Sequence, residues 1–466
     1  MIRQEDTICA PATGSGGAVS VIRMSGSRSL EILTRIFYPA DRSVDLLNKA
    51  GYSLIYGDIK GGEDIIDDVL VSIFRAPRSY TGEDSVEISC HASPYIIKKI
   101  LELLVINGAS TAAAGEFTRR AFINGRMDLS QAEAVADIIA STSKASHRIA
   151  INQMRGGFSE EIRNLRAELL NFASLIELEL DFGEEDVEFA DRNNLKDIVI
   201  RIKLIADKLA SSFIAGNAIK KGIPVAIAGK PNSGKSTLLN ALLMEERAIV
   251  SDIPGTTRDS IEETVHHDGI EYRFIDTAGL RETTDFIENL GIQKTYEKIK
   301  QASIVLFIDD VMDGPEIINR RIDALKEFLN PDQKLIIVIN KTDKVSPGEI
   351  SGIHEKILAG NKDVVVFISA KNKTGLDELR KSLGDSAITE KLNSNEVIIS
   401  NIRHYEALRN VSESLGRVLE GLENSIPEDI IAIDIRQAIH YLGEITGEIT
   451  SDEILGNIFK NFCIGK

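Results

Sequence analysis

Gly229-Lys230-Pro231-Asn232-Ser233-Gly234-Lys235-Ser236 follows the apolar run Val225–Ala228 and precedes the helical run Thr237–Leu243. An octet that begins on glycine and closes on Gly-Lys-Ser between a strand and a helix is the pattern of a phosphate-binding loop. Its glycines let backbone N–H groups converge on phosphate oxygens, and the following helix aims its N-terminus at them. Lys235 is then expected to reach the β- and γ-phosphates as a catalytic cation, and Ser236 to ligate Mg²⁺. Asn232, Ser233, Gly234 and Thr237 are expected to complete this part of a nucleotide site.

Outward from the loop, the segment of about 218–386 alternates strand and helix. Strands are expected at Val225–Ala228, Ile304–Asp309, Leu335–Asn340 and Val364–Ser369, the arrangement of a doubly wound parallel sheet. Asp268-Gly269, set between His266–His267 and Tyr272–Ile275, is a hairpin signal that adds an antiparallel strand at one edge.

The base is read by Asn340-Lys341-Thr342-Asp343 at the end of the run Leu335–Ile339. An aspartate accepts from the N1–H and the exocyclic amine of guanine, whereas adenine presents an acceptor at N1, so GTP is favoured over ATP. Ser369-Ala370-Lys371, after another strand, is the short loop expected to support the base. Asp276-Thr277-Ala278-Gly279 ends the hairpin strand, which places Asp276 near Mg²⁺ and Gly279 where its N–H meets the γ-phosphate. Ser251-Asp252-Ile253-Pro254-Gly255-Thr256-Thr257 lies between this motif and the phosphate loop, and Thr257 is expected to join Ser236 on the magnesium. The residue after Gly279 is Leu280, where Ras-like enzymes carry the glutamine that orients the attacking water. Another group must do that work here.

At 466 residues the chain is too long for one core and is expected to hold several domains. Residues 1–124 mix β-rich runs (Ala18–Ile22, Val69–Phe74, Ser85–Cys90) with the helical run Pro94–Asn107 and read as an α/β domain. Beyond them, Ile162, Leu165, Leu169, Phe172 and Ile176 form one helical stripe, and Ile402, Tyr405, Leu408, Val411, Leu415, Val418 and Leu422 form a second far downstream. The two can bury one another if the segment between is an inserted domain. The acidic run Asp181–Glu188 reads as a solvated connector.

No apolar stretch is long enough to span a membrane, and the opening residues do not read as a secretory signal, so a cytoplasmic protein is expected. Cys9, Cys90 and Cys463 are odd in number and lack CxxC spacing, which suits a reducing compartment. A formal charge of −17 gives no general footprint for nucleic acid, so an RNA contact would use a local patch or a partner.

Taken in order, GKPNSGKS, SDIPGTTRD, DTAGLRE, NKTD and the closing FCIGK resemble the MnmE/TrmE family of bacterial tRNA-modification GTPases over nearly the whole chain. The resemblance implies a multidomain α/β plus all-α fold. An N-terminal α/β domain (1–124) binds tetrahydrofolate and dimerises. A helical domain is split into 125–217 and 387–466, and a Ras-like P-loop GTPase domain (218–386) is inserted into it. It further implies a homodimer that works with the flavoprotein MnmG (GidA) as a heterotetramer. That assembly adds an aminomethyl or carboxymethylaminomethyl group to carbon 5 of the wobble uridine of certain tRNAs. The one-carbon donor is 5,10-methylene-tetrahydrofolate or 5-formyl-tetrahydrofolate.

By motif, the folate contacts fall on Arg23, Glu87, Arg126 and Lys466; judged without the family, Arg23, Glu87 and Arg126 read as solvated charges. Where Arg126 stands the family often has lysine, which keeps the charge but changes the geometry. Cys463 is the family's near-terminal cysteine, either a participant in the modification or a small apolar residue. Glu288 takes the place of the missing glutamine as the group that orients or activates water. In potassium-activated members of this class Asn232, Ser251, Ile253 and Thr256 would hold K⁺, stimulating hydrolysis as two G domains come together. The competing reading is a GTPase switch in ribosome assembly resembling Era or EngA. That class carries a KH-like domain or a second G domain, and this sequence shows neither.

Overall fold

The computed structural model describes residues 6–14, 16–181, 192–247, 263–275, 299–360, 363–385, 397–424, 426–460 and 462–465. It divides into two compact units, Met1–Ile139 with Ile151–Lys203 and Asn410–Lys466, and Ala140–Ala150 with Leu204–Arg409.

In the first unit, β1 (Ile8–Pro11), β2 (Val19–Ser25), β3 (Phe37–Pro39), β4 (Ser53–Gly61), β5 (Asp64–Phe74), β6 (Ser85–His91) and β7 (Ser110–Thr111) form one sheet. Its order is β3-β4-β5-β6-β2-β1-β7, and the pairing is antiparallel except between β1 and β7. Alternation sorts the two faces. Ile55 and Ile59 of β4 point into the core while Leu54 and Tyr56 face outward. The covered face packs on helices Ser29–Ile36 and Pro94–Ile106 through Leu30, Leu33, Ile100 and Leu104. Arg23 and Glu87 lie on the opposite face, where both are half-buried.

The stripe Ile162, Leu165, Leu169, Phe172 and Ile176 is buried on the helix Gly157–Asp181. The helix running most closely along it is Glu428–Thr446, which buries Ile431, Ile435, Leu442 and Ile445. Arg436 pairs with Glu177 at 2.8 Å and Arg166 with Glu448 at 2.5 Å across this seam. The second stripe belongs to the helix Ile402–Glu423, beside the helix Arg192–Lys221, where Lys203 donates to Ser412 at 2.9 Å and Lys196 pairs with Glu423 at 3.0 Å. Leu408, Val411, Leu415 and Val418 are buried, but at the start of this helix His404 is buried and Ile402 is exposed, so the apolar stripe begins one turn later than the pattern of residues suggests.

The second unit carries β8 (Ile223–Ala228), β9 (Glu263–His267), β10 (Ile270–Phe274), β11 (Ile304–Asp310), β12 (Lys334–Asn340) and β13 (Val364–Phe367) in the order β13-β12-β11-β8-β10-β9. All neighbours are parallel except the β9–β10 hairpin, which is the expected antiparallel edge. Its turn residues Asp268 (φ 50°) and Gly269 (φ 76°) both occupy the left-handed region, as a two-residue hairpin whose twist matches its strands requires. β11 is buried along its whole length because both faces of the sheet are covered. Leu238, Leu242, Leu379 and Leu383, from helices Lys235–Arg247 and Leu376–Gly384, cover one face. Ile318 and Ile322, from helix Pro315–Lys326, cover the other. Ala145 and Ile149 of helix Lys144–Met154 join the first of these cores. The phosphate loop leaves the carboxyl end of β8 and Asn340–Asp343 the carboxyl end of β12, the side of an open α/β sheet where ligands bind.

Candidate GTP site

Lys235 opens the helix that follows the phosphate loop, and its Nζ curls back to donate to the carbonyls of Gly229 and Lys230, both at 2.8 Å. Burial draws this ammonium below the ordinary lysine range. Ser233 is fully buried, and among the described residues its Oγ has no hydrogen-bond partner. A buried hydroxyl without a partner is costly unless a ligand supplies one, which suits a phosphate-bearing ligand. Ser236 and Thr237 sit in the first helical turn.

The base loop is bolted to this one. Asn340 is buried, its Nδ2 donates to the Ser233 carbonyl at 2.8 Å, and its Oδ1 accepts the Ala370 N–H at 3.0 Å. Lys341, at φ 66°, donates to the carbonyl of Asn232 at 2.7 Å and to Asp310 at 2.6 Å. Ser369 Oγ donates to Asp343 Oδ1 at 2.5 Å, and that hydrogen bond is the main reason the Asp343 carboxyl is held below the usual range. Lys371 is exposed beyond this loop. Asn232, Ser233, Gly234, Lys235, Asn340, Lys341, Asp343, Ser369 and Ala370 are therefore brought together at one end of the sheet.

Ser251, Asp252, Ile253, Pro254, Gly255, Thr256, Thr257, Asp276, Thr277, Ala278, Gly279 and Glu288 lie outside the described residues. Of the expected magnesium ligands only Ser236 is described. Its hydroxyl is a hard oxygen donor of the kind Mg²⁺ takes alongside substrate phosphates. Among the described residues no cluster of three or more His, Cys, Asp or Glu side chains could hold a metal by itself.

In the first unit Arg23 and Glu87 are direct cross-strand neighbours on β2 and β6. Arg23 Nε donates to Glu87 Oε1 at 2.9 Å, and Arg23 also reaches the carbonyl of Gly465 at 3.3 Å. The guanidinium lies 5.4 Å from the ring centre of Tyr80 and 5.7 Å from that of Phe117. The closing segment is drawn in by a bridge between Ile464 and Ala114, next to which the Cys463 carbonyl accepts the Gly115 N–H at 3.4 Å. Cys463 itself is exposed. Arg126 is exposed and lays its stem against Gly82, two residues past Tyr80. Lys466 lies outside the described residues.

Two family profiles match the chain, the N-terminus of GTP-binding protein TrmE over residues 7–126 and the MnmE helical domain over residues 129–463. The chain is 51% identical to the tRNA modification GTPase MnmE of Bacteroides thetaiotaomicron over 467 residues, covering 99% of this chain and 100% of that protein. It is 52% identical to the protein of the same name from Flavobacterium psychrophilum, covering 99% of each. The chain belongs to the MnmE family. The MnmE helical match brackets β8 to β13, so the nucleotide-binding sheet is an insertion within the helical domain, and the TrmE-type match coincides with the seven-stranded sheet.

The motifs do not contain every residue of the two candidate sites. Asp310 and Asp313 hold lysines of the candidate nucleotide loops; in the sequence the Asp309-Asp310 pair closing an apolar strand marks the first, and nothing marks the second. Tyr80 and Phe117 flank Arg23, and nothing in their spacing from it announces that contact.

Proposed function

We propose that this protein is a GTP-hydrolysing tRNA-modification enzyme. The observation that carries the reading is the hydrogen-bonded unit in which Asp343, oriented by Ser369, is tied through Asn340 to the phosphate loop. Ionised Asp343 accepts from guanine N1–H and the exocyclic amine and leaves adenine unpaired. Lys235, now on two carbonyls, is placed to exchange them for β- and γ-phosphate oxygens and to stabilise charge as the γ-phosphoryl group leaves. Ser236 and Thr257 would hold Mg²⁺, which would supply charge neutralisation at those phosphates. Glu288 is the proposed water-orienting group, since Leu280 has no side chain able to do it.

The modification half of the reading assigns the Arg23–Glu87 site to a tetrahydrofolate donor, either 5,10-methylene- or 5-formyl-tetrahydrofolate, with Arg126 and Lys466 as cations for its carboxylates. Support comes from the setting of Arg23, between two aromatic rings and beside a carboxylate that can accept pterin N–H groups. Cys463 stands near it along the closing segment. The protein is proposed to work in the cytoplasm as a homodimer with MnmG (GidA), on the wobble uridine of tRNA. Its parts would divide at 1–124, 125–217, 218–386 and 387–466. Among the described residues no helix is long and apolar enough to cross a membrane.

Mass analysis of wobble uridines from cells lacking this chain, with and without a plasmid copy, tests the reading. Loss of a carbon-5 substituent that the plasmid restores is expected. Unaltered uridines with defective ribosome assembly would replace the reading with an Era-like one.

A further inference from the structure

One short turn grips both nucleotide loops from outside their motifs. β11 ends at Asp310 and leads into the tight helical turn Val311–Asp313. Asp310 is buried; its Oδ1 accepts the Met312 N–H at 3.1 Å, and its Oδ2 pairs with the Lys341 ammonium at 2.6 Å. Lys341 in turn holds the Asn232 carbonyl. At the other end of the turn Asp313 pairs with Lys230 of the phosphate loop. Asp313 is itself held by Arg321, which also takes the fully buried Asp309 at 2.7 Å.

We propose that the Asp310–Asp313 turn is a positioning element of the nucleotide site, its two carboxylates fixing Lys341 and Lys230 so that the base loop and the phosphate loop keep one spacing before nucleotide arrives. This rests on the nucleotide-binding reading above. Lysine has a long stem with many rotamers, and ordering it at the moment of binding would consume affinity. A carboxylate fixed at a strand end removes that cost, and charge-assisted hydrogen bonds are the strong ones. The grip also bears on Asn232, which has φ 62°, a conformation disfavoured for a residue with a side chain, and whose carbonyl is held by Lys341. Asp313 acts on the same loop two residues earlier, at Lys230. Neither aspartate touches the base or the phosphates in this scheme; both act through lysines.

The test uses the full chain with Asp310→Asn, Asp313→Asn, Lys341→Ala and the double variant Asp310→Asn/Lys341→Ala. Release of fluorescent GDP, KM and kcat for GTP, and the thermal midpoint are measured. Asp310→Asn keeps an acceptor for Met312 and removes the negative charge that Lys341 pairs with. It is expected to speed GDP release about tenfold and raise KM while kcat changes little. The double variant should release GDP no faster than Lys341→Ala alone. Unchanged release in Asp310→Asn, or additive effects in the double variant, would overturn the proposal. Should Asp310→Asn lower the thermal midpoint, the more exposed Asp313 decides, and unchanged release in Asp313→Asn overturns it. A wild-type chain that shows no saturable binding of fluorescent GDP would overturn the nucleotide reading as well, whereas measurable wild-type binding with insensitive variants removes the turn's role alone.

Discussion

The side-chain amide of Asn340 joins three loops at once, donating to the Ser233 carbonyl at 2.8 Å and accepting the Ala370 N–H at 3.0 Å. Both bonds are buried, and leaving either partner unsatisfied costs about 1–3 kcal/mol. The phosphate loop, the base loop and the loop of Ser369 are therefore tied together through one side chain.

Gly234 is the position where that tie has no slack. It has φ 104°, and a Cβ added there would stand 2.1 Å from Asn340 Nδ2. Gly234→Ala is expected to displace Asn340 and weaken GDP binding by about tenfold or more, the equivalent of roughly 1.4 kcal/mol. A titration with fluorescent GDP reads this directly, and wild-type affinity in the variant would show that the amide is not the tie.

Asp343 decides base identity in the proposed site. Asp343→Asn should weaken GTP binding and gain affinity for xanthosine triphosphate, whose base carries a carbonyl where guanine has its amine. The Ser369 hydrogen bond holds the Asp343 carboxyl below the ordinary carboxylate range, so the ionised acceptor is present at neutral pH and persists well into acid. The preference for GTP over ATP in the wild type, in which titration of the shared triphosphate cancels, should stay level as pH falls from 8 to about 5 and decline only when the carboxyl protonates. Equal GTP affinity in wild type and variant would remove Asp343 from the base site.

The nucleotide sheet was legible in the sequence because parallel strands buried on both faces read as unbroken apolar runs, and because Asp268-Gly269 can make few things besides a tight hairpin. The pairing of the long helices was not. The stripes on Gly157–Asp181 and Ile402–Glu423 carry the same spacing, and spacing says that a face must be covered without saying by which helix; Glu428–Thr446 runs closest to the first. In the proposed nucleotide site, Asn340, Lys341 and Asp343 stand out in the sequence because ligand chemistry would fix their types and order. Asp310 and Asp313 act through lysines, so their sequence context does not reveal what they hold. Tyr80 and Phe117 reach Arg23 from distant parts of the chain, which no local pattern records.

Arg23 and the closing segment offer a separable test of the folate assignment. Arg23 binds Glu87 and the Gly465 carbonyl, contacts that belong to the first unit, whereas GTP turnover is assigned to the second. Arg23→Ala, and deletion of Lys466, are expected to abolish tetrahydrofolate binding by calorimetry while GTP hydrolysis remains measurable. Unchanged heats of folate binding in both variants would defeat the assignment.

The last prediction concerns charge that builds between the β- and γ-phosphates during hydrolysis, which an arginine finger often stabilises and which can account for about 10³–10⁵ in rate. No such arginine is placed at the described part of the site. Asn232 is exposed at the tip of the phosphate loop, and Lys341 holds its backbone carbonyl, so the contact that anchors this residue does not use its side-chain amide. A neutral amide oxygen suits a large, weakly charged ion, and Ser251, Ile253 and Thr256 would add further neutral oxygens. We therefore expect K⁺, and Na⁺ much less, to accelerate hydrolysis, partly by bringing two G domains together across the nucleotide. Asn232→Ala should remove the acceleration and leave the slow potassium-independent rate. Turnover measured in KCl and NaCl at constant ionic strength decides this: equal rates in the wild type would sink the potassium site, and activation that survives Asn232→Ala would sink the assigned ligand.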